Sequence, residues 1–243
     1  MSLKYQNDEA EPEQQDEIRS TPVPTPTYTY IFLASIAAVA VTQFTTNLDA
    51  SILLAGFVKP DFVRNHQYWR ILTGATLHAS VAHVLMNGYA FYSFGRIFEM
   101  LTNRAHLAIV FLLSAIGGGL LSLFFIPNGI SVGASGGIVG LIGYLAVYAF
   151  RRRQFISDQF RKNLLINIGF LFVFGLVLYQ VIDNFGHLGG LITGGIYGLL
   201  QIPSDPSVDP REATGAVQIA GLVSLGIYIA GCLFSILLIT RLV

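Results

Sequence analysis

Residues 105–125 read AHLAIVFLLSAIGGGLLSLFF, with no Asp, Glu, Lys or Arg among them. A bilayer core of about 30 Å is crossed by roughly 20 mostly apolar residues in helical form, so this stretch predicts a membrane-spanning helix. The remaining sequence has the same character. Of 243 residues, 53% are hydrophobic and only 12% charged, against about 25% charged in a soluble globular domain. Working outward, further apolar segments fall at 28–44, 81–101, 133–150, 164–182, 186–202 and 216–239. The expectation is an all-α membrane protein with six or seven spans. The segments at 81–101 and 186–202 are interrupted by His, Asn or Gly and are the least apolar.

The N-terminus differs from the rest. Asp8, Glu9, Glu11, Glu13, Asp16 and Glu17 precede a Pro/Thr stretch at 21–27, a composition that predicts a solvated, disordered tail over 1–27. An acidic flank followed by a full-length apolar segment does not resemble a secretory signal. The zero net charge provides no electrostatic argument for a nucleic-acid partner. Cys232 is the single cysteine, which excludes an intrachain disulfide and predicts a small core- or lipid-facing side chain.

Basic residues orient the spans. Arg96, Arg104, Arg151, Arg152, Arg153, Arg161, Lys162 and Arg211 lie near the ends of the second, fourth and sixth spans or in the loops after them. The loops after the third and fifth spans hold none. The long first loop holds Lys59, Arg64 and Arg70 and weighs less. The expected N-terminus is cytoplasmic, with even-numbered helices running from outside inward. That parity brings His83, Asn87, Ser135 and His187, each near the start of an even-numbered span, to one depth toward the outer face.

Ser135 lies in Gly133-Ala134-Ser135-Gly136-Gly137. A serine among small residues in a membrane helix commonly serves helix packing. The string also matches a G-x-S-x-G nucleophile turn, but here the serine opens a membrane span instead of linking strand to helix. What survives of that motif is physical. Glycines allow close approach to the hydroxyl, and a helix N-terminus offers unpaired N–H groups suited to an oxyanion. His187 begins a helix with Gly186, Gly190, Gly194 and Gly198 at every fourth position, a bare stripe that permits close helix contact in membranes. Glycines crowd the fourth span as well, so the two helices can bring a hydroxyl and an imidazole base together. His83 and Asn87, at i and i+4, share one helix face; they are candidate oxyanion donors or partners in an interhelical hydrogen bond.

Other polar residues carry less. Asp183, four residues before His187, is a candidate orienting group, with a loop or capping role favoured. His78 and His83 lack the intervening Glu of a zinc-protease motif, and no metal site is expected. His66 and His106 read as solvated surface residues. The first loop, roughly 45–77, is too long and apolar for a floppy linker and predicts ordered, interfacial structure.

These residues together resemble the rhomboid family of intramembrane serine proteases, in order, over about three-quarters of the chain. Trp69-Arg70 resembles the family's first-loop motif, His83-Val84-Leu85-Met86-Asn87 its H-x-x-x-N, and Gly133-Ala134-Ser135-Gly136 its G-x-S-G. His187 with Gly190 and Gly194 resembles its H-x-x-G-x-x-x-G, and Glu99 matches a glutamate that braces the first loop. The resemblance implies a six-helix core over 28–203, an added seventh helix within 204–243, and a Ser135–His187 dyad needing no aspartate, metal or cofactor. His83, Asn87 and the Ser135 N–H would hold the oxyanion. Substrates would be single-pass or other transmembrane proteins within the bilayer, and the expected location is a bacterial plasma membrane. Val139, one turn after Ser135, departs from a position often aromatic in relatives. Two rivals stand beside this: an inactive rhomboid-like binding or trafficking factor, which typically lacks the serine or histidine, and a small-solute transporter, whose expected inverted repeat is not evident.

Overall fold

The computed structural model describes residues 25–205 and 207–241; the acidic tail expected at the N-terminus lies mostly outside them. In chain order the elements are α1 (Thr27–Thr45), α2 (Leu48–Ala55), β1 (Phe57–Val58), α3 (Lys59–Arg64), α4 (Arg70–Gly74), α5 (Val81–Leu101), α6 (Arg104–Phe125), β2 (Ile130–Ser131), α7 (Ser135–Arg151), α8 (Asp158–Val177), α9 (Asn184–Gln201) and α10 (Gly215–Thr240). The chain is mostly helical, and four helices, α1, α6, α8 and α10, are long and apolar enough to cross a membrane. Among the described residues, the one departure from an all-α reading is the β1–β2 pair, antiparallel with Phe57 opposite Ser131 and Val58 opposite Ile130.

Polar caps set where the helices begin. Ser80, Asn103, Ser157, Asp183 and Thr214 each accept a hydrogen bond from the backbone N–H three residues on, satisfying one of the orphan donors of a helix start. The cap at Ser157 explains why the fifth long helix differs from expectation. Expected at 164–182, it runs Asp158–Val177, because its polar first turn is helical while residues beyond Val177 turn toward α9. The Asn184 side chain then donates to the Gly175 carbonyl at 2.9 Å, covering one of the exposed carbonyls at the end of α8.

At the centre, α9 packs between α6 and α7. Its Gly186, Gly190, Gly194 and Gly198 are all buried. A β-carbon at Gly190 would overlap the Gly136 carbonyl oxygen, and one at Gly194 the Gly140 carbonyl oxygen. On the other side, a β-carbon at Gly118 would lie 2.5 Å from the Gly186 carbonyl oxygen. The glycine stripe therefore brings backbone against backbone, the contact expected of small-residue faces in lipid.

Around this centre, Phe32 of α1, Phe91 of α5, Phe111 of α6 and Tyr228 of α10 form one aromatic cluster. The Phe32 ring lies 5.4, 4.8 and 4.8 Å from the rings of Phe91, Phe111 and Tyr228, within the range of favourable aromatic contact. Cys232 is buried on the same α10. Most of α8 is exposed, with Leu165, Phe170, Val173, Leu176 and Val177 pointing away from the bundle.

The first loop is ordered throughout. Arg70, 6% exposed, donates to the Leu53 and Gly56 carbonyls at 3.0 and 2.8 Å and pairs with Asp61 at 3.3 Å. Trp69 meets Phe234 of α10 edge-on at 5.2 Å. Glu99 departs from its expected role as brace of this loop. Its carboxylate accepts from the Thr29 N–H and hydroxyl, both at 2.7 Å, and so holds the start of α1. His106 is also not the surface residue expected: it is buried, and its Nδ1 lies 2.8 Å from the Tyr197 hydroxyl, linking α6 to α9.

Candidate active site

Ser135 is the first residue of α7. The first α-helical bond there runs from the Ile138 N–H to the Ala134 carbonyl at 3.1 Å, which leaves the N–H groups of Ser135, Gly136 and Gly137 without an intrahelical acceptor. Gly133 makes the turn before the serine with φ +127°, a conformation natural only to glycine. Its N–H donates to the Gly74 carbonyl at 2.9 Å, fixing the turn to the first loop.

His187 stands in the first turn of α9, its N–H donating to the Asp183 carbonyl at 3.0 Å. The residues next to the serine and the histidine touch: a β-carbon at Gly136 would lie 3.6 Å from the Gly186 carbonyl oxygen. Ser135 and His187 are both half-buried. Among the described residues, neither the Ser135 hydroxyl nor the His187 ring makes a hydrogen bond within the protein.

His83 approaches from α5. A β-carbon at Gly133 would lie 2.9 Å from His83 Nε2 and 3.7 Å from Ser135 Oγ, so the imidazole edge and the hydroxyl flank one small space. His83 Nδ1 accepts from the Ala79 N–H at 3.4 Å. A neutral imidazole accepting at Nδ1 carries its proton on Nε2, on the ring edge nearest Gly133. Asn87, buried one turn further on, donates one amide hydrogen to the His83 carbonyl at 3.0 Å and has a second to offer. These four residues thus lie toward the N-terminal ends of α5, α7 and α9. Gly190 and Gly194 lie deeper at the α7–α9 contact, and Val139 is buried on α7.

Behind Ser135 is a cavity of about 50 Å³, lined by Phe57, Ile71, Ser131, Ser135, Gly136 and Asp183 among others. Asp183 caps α9, as favoured from sequence: its Oδ1 accepts from the Gly186 N–H at 2.8 Å. Its Oδ2 accepts from the hydroxyls of Ser122 and Ser131, each at 2.5 Å. Ser122 Oγ in turn accepts from Lys59 Nζ at 2.7 Å. Burial pushes the Lys59 ammonium below its ordinary pKa, an effect partly offset by the negative charge of Asp183. Nothing in the sequence paired these residues; the one hint was a lysine set in an apolar loop. His78 was likewise passed over. It is fully buried, and its ring meets that of His83 edge-on at 5.0 Å.

The sequence matches the family description "Rhomboid domain" over residues 65–204, which takes in Trp69, Arg70, His83, Asn87, Glu99, Ser135 and His187. Among curated proteins, the chain is 32% identical over 144 residues to "RHOMBOID-like protein 6, mitochondrial" of Arabidopsis thaliana, covering 57% of this chain and 45% of the relative. It is 31% identical over 150 residues to "Rhomboid protease GluP" of Bacillus subtilis (strain 168), covering 62% of this chain and 29% of the relative. It is also 35% identical over 130 residues to "Inactive rhomboid protein 1" of Bos taurus, covering 53% of this chain and 15% of the relative. The matched region spans less than half the length of each of these relatives. With a family match over more than half its length and helices apolar enough to cross a bilayer, the chain is an integral membrane protein of the rhomboid family.

Proposed function

We propose that the chain is an intramembrane serine endopeptidase that cleaves transmembrane protein substrates through a Ser135–His187 dyad. The observation that carries this reading is the meeting of helix starts on either side of Ser135: its hydroxyl and the His83 Nε2 edge flank one small space at Gly133, and Gly136 beside it touches Gly186 beside His187. The similarity to a named rhomboid protease supports it.

In this mechanism Ser135 Oγ attacks the scissile carbonyl while His187 takes its proton. The oxyanion of the tetrahedral intermediate accepts hydrogen bonds from the Ser135 N–H, His83 Nε2–H and the free Asn87 amide hydrogen. His187 then gives its proton to the leaving amine, and the acyl-enzyme is released by water that His187 activates in turn. Asp183 is engaged by Gly186, Ser122 and Ser131 and takes no proton. No metal or cofactor has a part in these steps.

The architecture that goes with this reading is six spans over 28–203, α1 and α5 to α9, with α10 as a seventh. The N-terminus is cytoplasmic and the site opens toward the outer face, of a bacterial plasma membrane.

Similarity to inactive rhomboid proteins supports a second reading, a binding or trafficking factor with the same fold. Purified protein reconstituted in liposomes with a model transmembrane substrate separates the two. Cleavage by wild type, lost in both Ser135→Ala and His187→Ala, is expected; cleavage that persists in Ser135→Ala removes the nucleophile from this site, and a wild type that binds without cleaving favours the second reading.

A further inference from the structure

Beneath the proposed dyad lies a polar cluster that no step of the peptide-bond chemistry uses. Lys59 is 1% exposed, and burying an ammonium group is costly unless a partner offsets its charge. Here the partner is reached through one hydroxyl, from Lys59 Nζ to Ser122 Oγ and on to Asp183 Oδ2. The same Oδ2 also accepts from Ser131. Ser131 ends β2, four residues before Ser135, and Asp183 lies four residues before His187. One carboxylate oxygen therefore ties the segment leading to the nucleophile to the segment leading to the base.

A cap alone does not account for this arrangement. An uncharged asparagine serves as well at a helix start and needs no buried lysine beside it. Two hydroxyls converging on one oxygen favour a full negative charge, and the lysine then compensates it. Lys59 is held independently: its N–H donates to the Gly129 carbonyl at 3.2 Å, and it directly follows β1, the partner of β2.

We propose that Lys59 and Asp183 form a positioning pair that, through Ser122 and Ser131, locks the first turn of α9 to the strand before Ser135 and so fixes His187 against the nucleophile. The inference rests on the peptidase reading above and assigns neither residue a contact with substrate. Geometry matters at this distance, because misplacing a catalytic group by about 1 Å can cost about 10²-fold in rate.

The test is steady-state cleavage of a model transmembrane substrate in liposomes by wild type, Ser135→Ala, Asp183→Asn, Lys59→Met and the double variant Lys59→Met/Asp183→Asn. Asp183→Asn keeps an acceptor for the Gly186 N–H but replaces the charged Oδ2, which accepts from both serine hydroxyls, with an amide donor. Each single variant is expected to lower kcat about 10- to 100-fold with KM within about twofold. The double variant is expected to fall no further than the worse single one, because one shared function is lost once. Lys59→Arg is expected to recover part of the loss. A double-variant loss equal to the product of the singles, an effect confined to KM, or wild-type kcat in Asp183→Asn overturns the proposal while leaving the peptidase intact. A wild type with no Ser135-dependent cleavage sinks the peptidase reading and this proposal with it. Should a charge-removing variant fail to fold, Ser131→Ala deletes only one hydrogen bond to Oδ2 and must show the same loss in kcat; wild-type kcat there also overturns the pair.

Discussion

His83 stands against Gly133 so closely that a β-carbon on the glycine would lie 2.9 Å from the imidazole Nε2. The glycine is thus required twice, once for its φ of +127° and once for the space it leaves to the His83 ring. Gly133→Ala is expected to destabilise the folded chain by about 1–3 kcal/mol from backbone strain alone. It is also expected to displace His83 from Ser135. Thermal unfolding in detergent checks the first effect and substrate cleavage the second; an alanine variant with wild-type values for both would contradict this account of the turn.

His83 and Asn87 are expected to contribute through the transition state more than through substrate binding. Loss of one oxyanion donor costs about 10²–10³-fold in kcat. His83→Ala and Asn87→Ala should each lie in or near that range with KM little changed. Steady-state kinetics of the two variants decide the matter, since an effect on KM alone would make these residues substrate-binding groups.

Glycines of equal helical rank are expected to behave oppositely. Gly194→Ala forces a methyl group onto the Gly140 carbonyl, and such overpacking typically costs about 1–3 kcal/mol. Gly169 in α8 and Gly226 in α10 have nothing within 4 Å of an added β-carbon. Alanine there should be neutral or stabilising by up to about 1 kcal/mol, the difference in helix propensity. Unfolding midpoints of the three variants, measured side by side, test the contrast.

His78 gives the protein a defined response to acid. Burial, and after it the neighbouring His83, push its pKa from the ordinary 6.5 down to about 3. The folded protein therefore keeps His78 neutral where the unfolded chain would bind a proton. Stability from this residue is fully present above pH 6.5, declines as pH falls below it, and stops declining near pH 3. Unfolding followed by the fluorescence of Trp69, the single tryptophan, should show this slope, and His78→Leu should flatten it. An unchanged slope in the variant would assign the acid response to other groups.

Much of this arrangement was legible in the sequence because membranes constrain it so strongly. Long apolar runs mark helices, and glycines at every fourth position tell which faces meet. The ends of helices were harder to read, because hydropathy records what lies in lipid and not what is helical. At α8 the Ser157 cap and a polar first turn extend the helix to Asp158, well before its apolar run begins. Partnerships across the chain were not legible at all. Glu99 seeks the amide ends of α1 and not the first loop, and the Lys59–Ser122–Asp183 chain joins residues far apart in sequence. Each depends on how elements stack, which no local pattern encodes. Ser135, His83, Asn87 and His187 stood out because polar groups at the starts of glycine-rich spans are rare. Lys59 and Ser131 did not, because only the β1–β2 pairing and the contacts to Ser122 and Asp183 bring them together.

The aromatic cluster of Phe32, Phe91, Phe111 and Tyr228 has a consequence for biosynthesis. Tyr228 belongs to α10, which leaves the ribosome after every helix it packs against. Until it arrives, the faces of Phe32 and Phe111 that it covers must be met by lipid or by a neighbouring chain. The aromatic cluster therefore closes only after translation has delivered α10.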